Sequence, residues 1–384
     1  MSNRTGEIDL EEEKDDAEES FRGSLAFDIS EISIKTEQQS ADFIIDMLRH
    51  DEIDMDTPFQ RSPDLWKPEV MSRFIESMLL KFPIPPFYFD ISYRLDKNGK
   101  PLIDSPYWQV VDGLQRLSAI RRFVTVKDAR RKLRLTGLDF FSELEGCTYD
   151  DLPRSLRRNL HSCQISMFVI YPNTPKSVKH RIFERVNTGG LKLTDQEIRH
   201  AINQGNSNSI LAHATLRGLV ENGIKLEPGR MRDQELVLRH FAFMMAQDIE
   251  QYTGSMKLFL DTAMEKLDII DERTSERLVD SFVKAVDVIV ECLGRLAFRR
   301  SEDGNLNRAL FDSYTVVVAK LTEAKKKKLL RNAERFMDLY VGSLKANRAN
   351  SRYLLAITAA TARIDNVQKR FEVAEDVIAK ALND

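Results

Sequence analysis

Beyond Gly205 the apolar residues recur only at helical spacing, and no stretch alternates apolar and polar as a half-buried strand does. Every strand-like segment falls in the first half of the 384-residue chain. A chain divided in this way folds as a mixed unit followed by a helical one, and its length suits two domains of roughly 100–200 residues each. The predicted architecture is an α+β domain over residues 40–205 and an all-helical domain over 206–384, with no internal repeat.

Within the first domain the spacing predicts helices at "ADFIIDMLRHDEI" and at "PEVMSRFIESMLLKF", where Pro68 marks a helix start. Met71, Phe74, Ile75, Met78 and Leu79 of that second helix share one face and form core. "IPPFYFDISYRL" reads as a strand; the Asn98-Gly99 turn signal follows, and "YWQVVDG" returns. "RKLRLTG" reads as a further short strand and "LPRSLRRNLHS" as a helix. "QISMFVIY" is a buried strand, and "PKSVKHRIFERVN" is a helix that stops at "TGG". Thr194 and Glu197 have capping-box spacing at the start of the next helix, which Gly205 ends.

The net charge of −3 conceals an uneven distribution, because "EIDLEEEKDDAEES" crowds acids into the first twenty residues. Residues 1–22 are thereby expected to form a disordered acidic tail, since they offer too little apolar surface to offset the cost of ordering, roughly 1–2 kcal/mol per residue. Deleting them is expected to leave the melting temperature unchanged, as a thermal melt of the truncated protein would show. Cys147, Cys163 and Cys292 are odd in number and far apart, which argues against a disulfide framework and for a reducing, cytoplasmic setting. Charges interrupt even "RLVDSFVKAVDVIVECL", so no membrane span is expected. No histidine follows His240, so a His-dependent nuclease module is not expected in the C-terminal part. His180 and His200 lack nearby Cys or His partners and read as ordinary histidines rather than a metal pair.

The stretch "WQVVDGLQRLSAIRRFV" concentrates polar chemistry where a strand runs straight into a helix. Unpaired N–H groups and the helix dipole favour an anion at such a corner. Gly113 lets the backbone turn or approach a ligand, and Arg116 in the first turn has the reach for a phosphate. Asp112 has three uses there: to hold a divalent cation, to orient Arg116, or to act on an attacking water. A purely structural role, with Asp112 capping the helix and Gly113 serving the turn, fits the local residues as well.

Asp112-Gly113-Leu114-Gln115-Arg116 resembles the "DGQQR" motif of the GmrSD restriction endonuclease N-terminal family, with Leu114 in place of glutamine. "FQRSPDLW" (Phe59, Gln60, Arg61 and Trp66) is similar to that family's upstream aromatic-Gln-Arg segment. "FERVNTGGLKLTDQEIRHAI" is similar to its FxxxN element and the leucine-rich segment after it, through Phe183, Asn187, Gly190, Leu193 and Glu197. The order and intervals agree, including "FPIPPFYF" before the central motif, and the resemblance runs over roughly residues 40–260.

The resemblance implies a ParB/sulfiredoxin-like fold that binds a nucleoside triphosphate and hydrolyses it, in a bacterial restriction or anti-phage system acting on DNA. It implies Asp112, Gln115 and Arg116 as the catalytic group, with Arg116 the main anion clamp and Asp112 the ligand of a divalent cation, magnesium by preference. Arg61, Gly113 and Asn187 join Arg116 in holding the nucleotide, although Asn187 before Thr188-Gly189-Gly190 also suits a helix C-cap. Basic residues that could track a DNA backbone are Arg130, Arg131, Lys132 and Arg134, with Arg157 and Arg158, although charge runs commonly form solvated faces. Relatives carry a nuclease as an extension or a separate protein, so a separate nuclease partner is expected. The alternative is a non-enzymatic DNA-binding or scaffold protein on the same fold, with Leu114 marking lost catalysis.

Overall fold

The computed structural model describes residues 29–55, 66–95, 101–128, 130–186, 193–203, 205–226, 230–246 and 251–383. The acidic tail, Phe59 to Arg61, and Asn187 to Gly190 lie outside the described residues. The chain divides into two compact units, one spanning Gly23–Leu193 and the other containing Thr194–Asp384.

The first unit is built on strands β1 (Ile34–Ser40), β2 (Ile53–Asp54), β3 (Phe87–Leu95), β4 (Pro101–Asp112) and β5 (Gln164–Ile170). They form one mixed sheet in the order β1-β5-β3-β4-β2. β3 pairs antiparallel to β4 and parallel to β5, while β1 lies antiparallel to β5 at the edge. Helices α1 (Ala41–Arg49), α2 (Pro68–Leu79), α3 (Leu114–Ile120) and α4 (Arg154–Ser162) cover one face. There Phe87, Phe89, Val110, Ile165, Met167 and Val169 meet the α1 and α2 side chains in one core. All five apolar residues expected on the α2 face are buried, and Pro68 stands in its first turn. The alternation along β3 and β5 sends Tyr88, Asp90, Phe168 and Ile170 to the other face. Tyr88 and Phe168 stack there with centroids 4.9 Å apart, and helix α5 (Lys176–Val186) packs above them.

β1 and the two-residue β2 are strands that the sequence did not announce. β1, "IKTEQQS", has no apolar alternation and is mostly exposed, so its conformation comes from its backbone ladder with β5. "RKLRLTG", expected as a strand, belongs to no strand of the sheet. Leu133 and Leu135 do plug into the core, but Leu135 exchanges backbone bonds only with the turn at Gly146 and Cys147.

The second unit is helical; Arg299 and Leu306 form an isolated bridge, and its described residues add no strand to the sheet. The α+β and helical division therefore stands. The two compact units divide between Leu193 and Thr194. Helix α6 (Asp195–Ile202), opened by the expected Thr194–Glu197 capping box, belongs to the helical unit because buried Arg199 pairs with Asp261 at 2.7 Å. At the centre of this unit Asp312 accepts from both Arg239 and Arg370, all three fully buried. His240 beside them is pushed down to about 3 by burial and stays neutral. Among the described residues, no helix is long and apolar enough to cross a membrane.

Candidate functional site

The corner forms because β4 runs out at Asp112 and only glycine fits the next position. Gly113 has φ +107°, and a Cβ there would lie 2.5 Å from Cδ1 of Phe87. A register shift opposite Tyr88 and Phe89 inserts Val111 as an extra residue just before Asp112, which re-aims the strand end. Leu114 then turns into the core, 8% exposed, with Leu117 behind it. The leucine that departs from the DGQQR pattern is thus a core residue in this fold. Gly113→Ala is expected to cost ~1–3 kcal/mol in backbone strain alone and to push Phe87 aside. Chemical denaturation of the variant measures that loss.

Arg116, only 8% exposed, is held on three sides. Its Nη2 donates to Asp112 Oδ2 at 2.7 Å, its Nη1 donates to the Pro85 carbonyl, and its plane lies 4.6 Å from the centre of the Phe87 ring. Burial raises the Asp112 carboxyl above its ordinary range, against the pull of Arg116 and the Gly113 N–H. Burial likewise lowers Arg116, and Asp112 opposes this. The Asp112 side chain keeps about a third of its surface exposed, at 34%, so the carboxylate is the part of the pair that solvent reaches. Of its three possible uses, orienting Arg116 is the one realised in the protein itself.

Gln115 ties the corner to the upstream motif, since its Oε1 accepts from the Trp66 N–H at 3.1 Å. Trp66 packs edge-on to Phe74 of α2. Arg61 and Asn187, expected to clamp phosphate and to contact base or ribose, lie outside the described residues.

Tyr88 of β3 stands opposite Asp112, and Asp90, two residues on, shares its face. Asp90 is 3% exposed, and the Nζ of Lys179 on α5, itself 7% exposed, donates to it at 2.6 Å. Burial pushes the Asp90 carboxyl up to about 6 even though Lys179 pulls it down. This pair fixes α5 on the sheet face that carries Asp112, and α5 ends one residue before Asn187. Sequence reading missed both residues. The available signal was an acid inside the aromatic strand "FYFDISY", since a charge at a buried position requires a cation nearby.

The basic residues lie elsewhere on the same unit. Arg130 and Arg131 are exposed, Lys132 is paired with Asp150, and Arg134 donates to the Gly146 carbonyl. Arg157 is half-buried and Arg158 exposed on α4. Lys132 and Arg134 are thus engaged by their own loop. No group of three or more His, Cys, Asp or Glu side chains that could hold a metal occurs among the described residues.

Residues 44–203 match the family model described as GmrSD restriction endonuclease, N-terminal domain. The matched segment holds the corner, α5 and α6, and covers less than half of the chain. Neither the curated proteins nor the solved structures contain a match.

Proposed function

We propose that a chain whose residues 44–203 match the GmrSD N-terminal domain binds a nucleoside triphosphate at the Asp112 corner and hydrolyses it, serving a restriction or defence system that acts on DNA. The observation that carries this reading is the family match together with the conformation of its central motif. A buried guanidinium is preset by Asp112, Pro85 and Phe87 beside a carboxylate that solvent reaches, on a turn that admits only glycine.

Arg116, fixed before substrate arrives, presents positive charge at no further ordering cost, and Asp112 is the group that accepts a proton from an attacking water. Gln115 holds the Trp66 backbone against the corner. A divalent cation fits here only as magnesium commonly binds, with one protein carboxylate, Asp112, and the remaining ligands from phosphate and water. Such an ion would neutralise phosphate charge. Asp90 is unsuited to join it, because Lys179 already neutralises it under α5. DNA and a separate nuclease are the partners this reading carries.

The commitment of Arg116 to internal partners favours a second reading, in which the corner only locks the fold and the protein is a non-enzymatic DNA-binding or scaffold protein. Release of inorganic phosphate from each of the common nucleoside triphosphates, measured on the full-length protein with magnesium, separates the two. Release that disappears in Asp112→Asn supports hydrolysis at the corner, and none from any nucleotide, with or without DNA, leaves the fold-locking reading.

A further inference from the structure

Outside the corner, three side chains from distant parts of the chain form one hydrogen-bonded line. The Tyr149 hydroxyl lies 2.6 Å from Nε2 of His161, and Nδ1 of the same ring lies 2.6 Å from Oδ1 of Asp42. An ionised carboxylate can only accept, so Nδ1 carries a proton and Nε2 is left to accept from the phenol. This is the relation of nucleophile, base and orienting acid that activates a hydroxyl. The supports are built in. Thr148 and Asp151 close a capping box around the turn that carries Tyr149. The phenol ring stands edge-on to buried Phe123 at 5.9 Å. Phe123 in turn sits in a π-helical turn, Arg121–Thr125, a local irregularity that recurs at functional sites.

The surroundings suit a phosphate. Arg157, one helical turn before His161 on α4, is half-buried and sets a guanidinium on the helix face of that imidazole. Arg158 is exposed three residues before His161 on α4, and Asp150 and Asp151, the acids next to Tyr149 in the chain, are already engaged by Lys132 and Thr148. Asp42 keeps 61% and His161 26% of its side chain exposed, so solvent reaches the line.

We propose that Tyr149 is a nucleophile toward a nucleic-acid phosphodiester, with His161 as its base, Asp42 orienting the imidazole, and Arg157 drawing the phosphate. The phenol oxygen forms a bond to phosphorus as the bond to one strand oxygen breaks. The phenolic proton passes to Nε2 of His161 and from there to the departing oxygen, leaving a phosphotyrosine and a free hydroxyl end. No oxidant, reductant or further reactant is needed, and the step is independent of nucleotide hydrolysis at Asp112.

Full-length protein incubated with uniformly phosphorus-32-labelled single strands of DNA and of RNA of one sequence, then boiled in SDS, tests this. The wild type is expected to retain label at its own band, and the strand that labels it identifies the source of the phosphodiester. Tyr149→Phe, which keeps the ring on Phe123, is expected to lose the label entirely at an unchanged melting temperature. His161→Gln is expected to label at least 100-fold more slowly, as loss of a general base does. No label with either strand, or label undiminished in Tyr149→Phe, overturns the proposal.

Discussion

Asp112→Asn is expected to slow nucleotide turnover by about 100- to 10,000-fold while nucleotide affinity changes only a few-fold. The amide keeps the size of the carboxylate, and its oxygen still accepts from Arg116 Nη2, so the corner holds its shape. What disappears is the charge that takes a proton from water. Because burial raises the Asp112 carboxyl, the acid limb of the wild-type rate profile should lie above the usual 3.8 of an aspartate, and it should vanish in the variant. Arg116→Ala behaves differently. It removes a charge-assisted contact worth about 1.5–3 kcal/mol, or roughly ten- to a hundredfold in nucleotide affinity, and leaves Asp112 and the Pro85 carbonyl without their partner. Affinity by calorimetry and turnover by phosphate release, both normalised to folded protein, place the two variants at different corners of one plot. Unchanged affinity and turnover in both would reduce the motif to a fold lock.

Lys179→Met is expected to destabilise the first unit by about 3–5 kcal/mol at pH 8, the cost of leaving a buried charge uncompensated. In the wild type Asp90 is raised from 3.8 to about 6, so its ionisation opposes folding. Its contribution is favourable below 3.8 and is lost as pH rises through 6. Removing Lys179 removes the attraction that holds the carboxyl down, and the carboxyl moves further up. Folding of the variant then takes up a proton at neutral pH, and its deficit relative to wild type shrinks as pH falls from 8 toward 5. The double change Asp90→Asn with Lys179→Met should recover most of the loss. Trp66 and Trp108 are the only two tryptophans and both lie in the first unit, so urea titrations followed by tryptophan fluorescence report on that unit alone. A deficit that does not vary with pH would mean that Asp90 is not the group responsible.

Where hydrophobic period dominates, the sequence determined the outcome by itself. The α2 face, the β3 and β4 pair, the β5 strand, the Thr194 capping box and the helical second half were all legible, because each depends on residues within a few positions of one another. The turn at Gly113 was legible for the same reason. Only the tertiary structure decided what lies across the sheet from such elements. β1 is a strand because β5 offers it a ladder, and "RKLRLTG" is not one because Gly146 and Cys147 take the bonds of Leu135. Leu114 is a core residue rather than a missing polar contact, since its helix turn faces Leu117 and the sheet. The pairs Asp90 with Lys179 and Asp42 with His161 join residues separated by 89 and 119 positions. No local pattern carries such pairings, because a buried charge selects its partner by distance in space and by the low dielectric between them, and the sequence records neither.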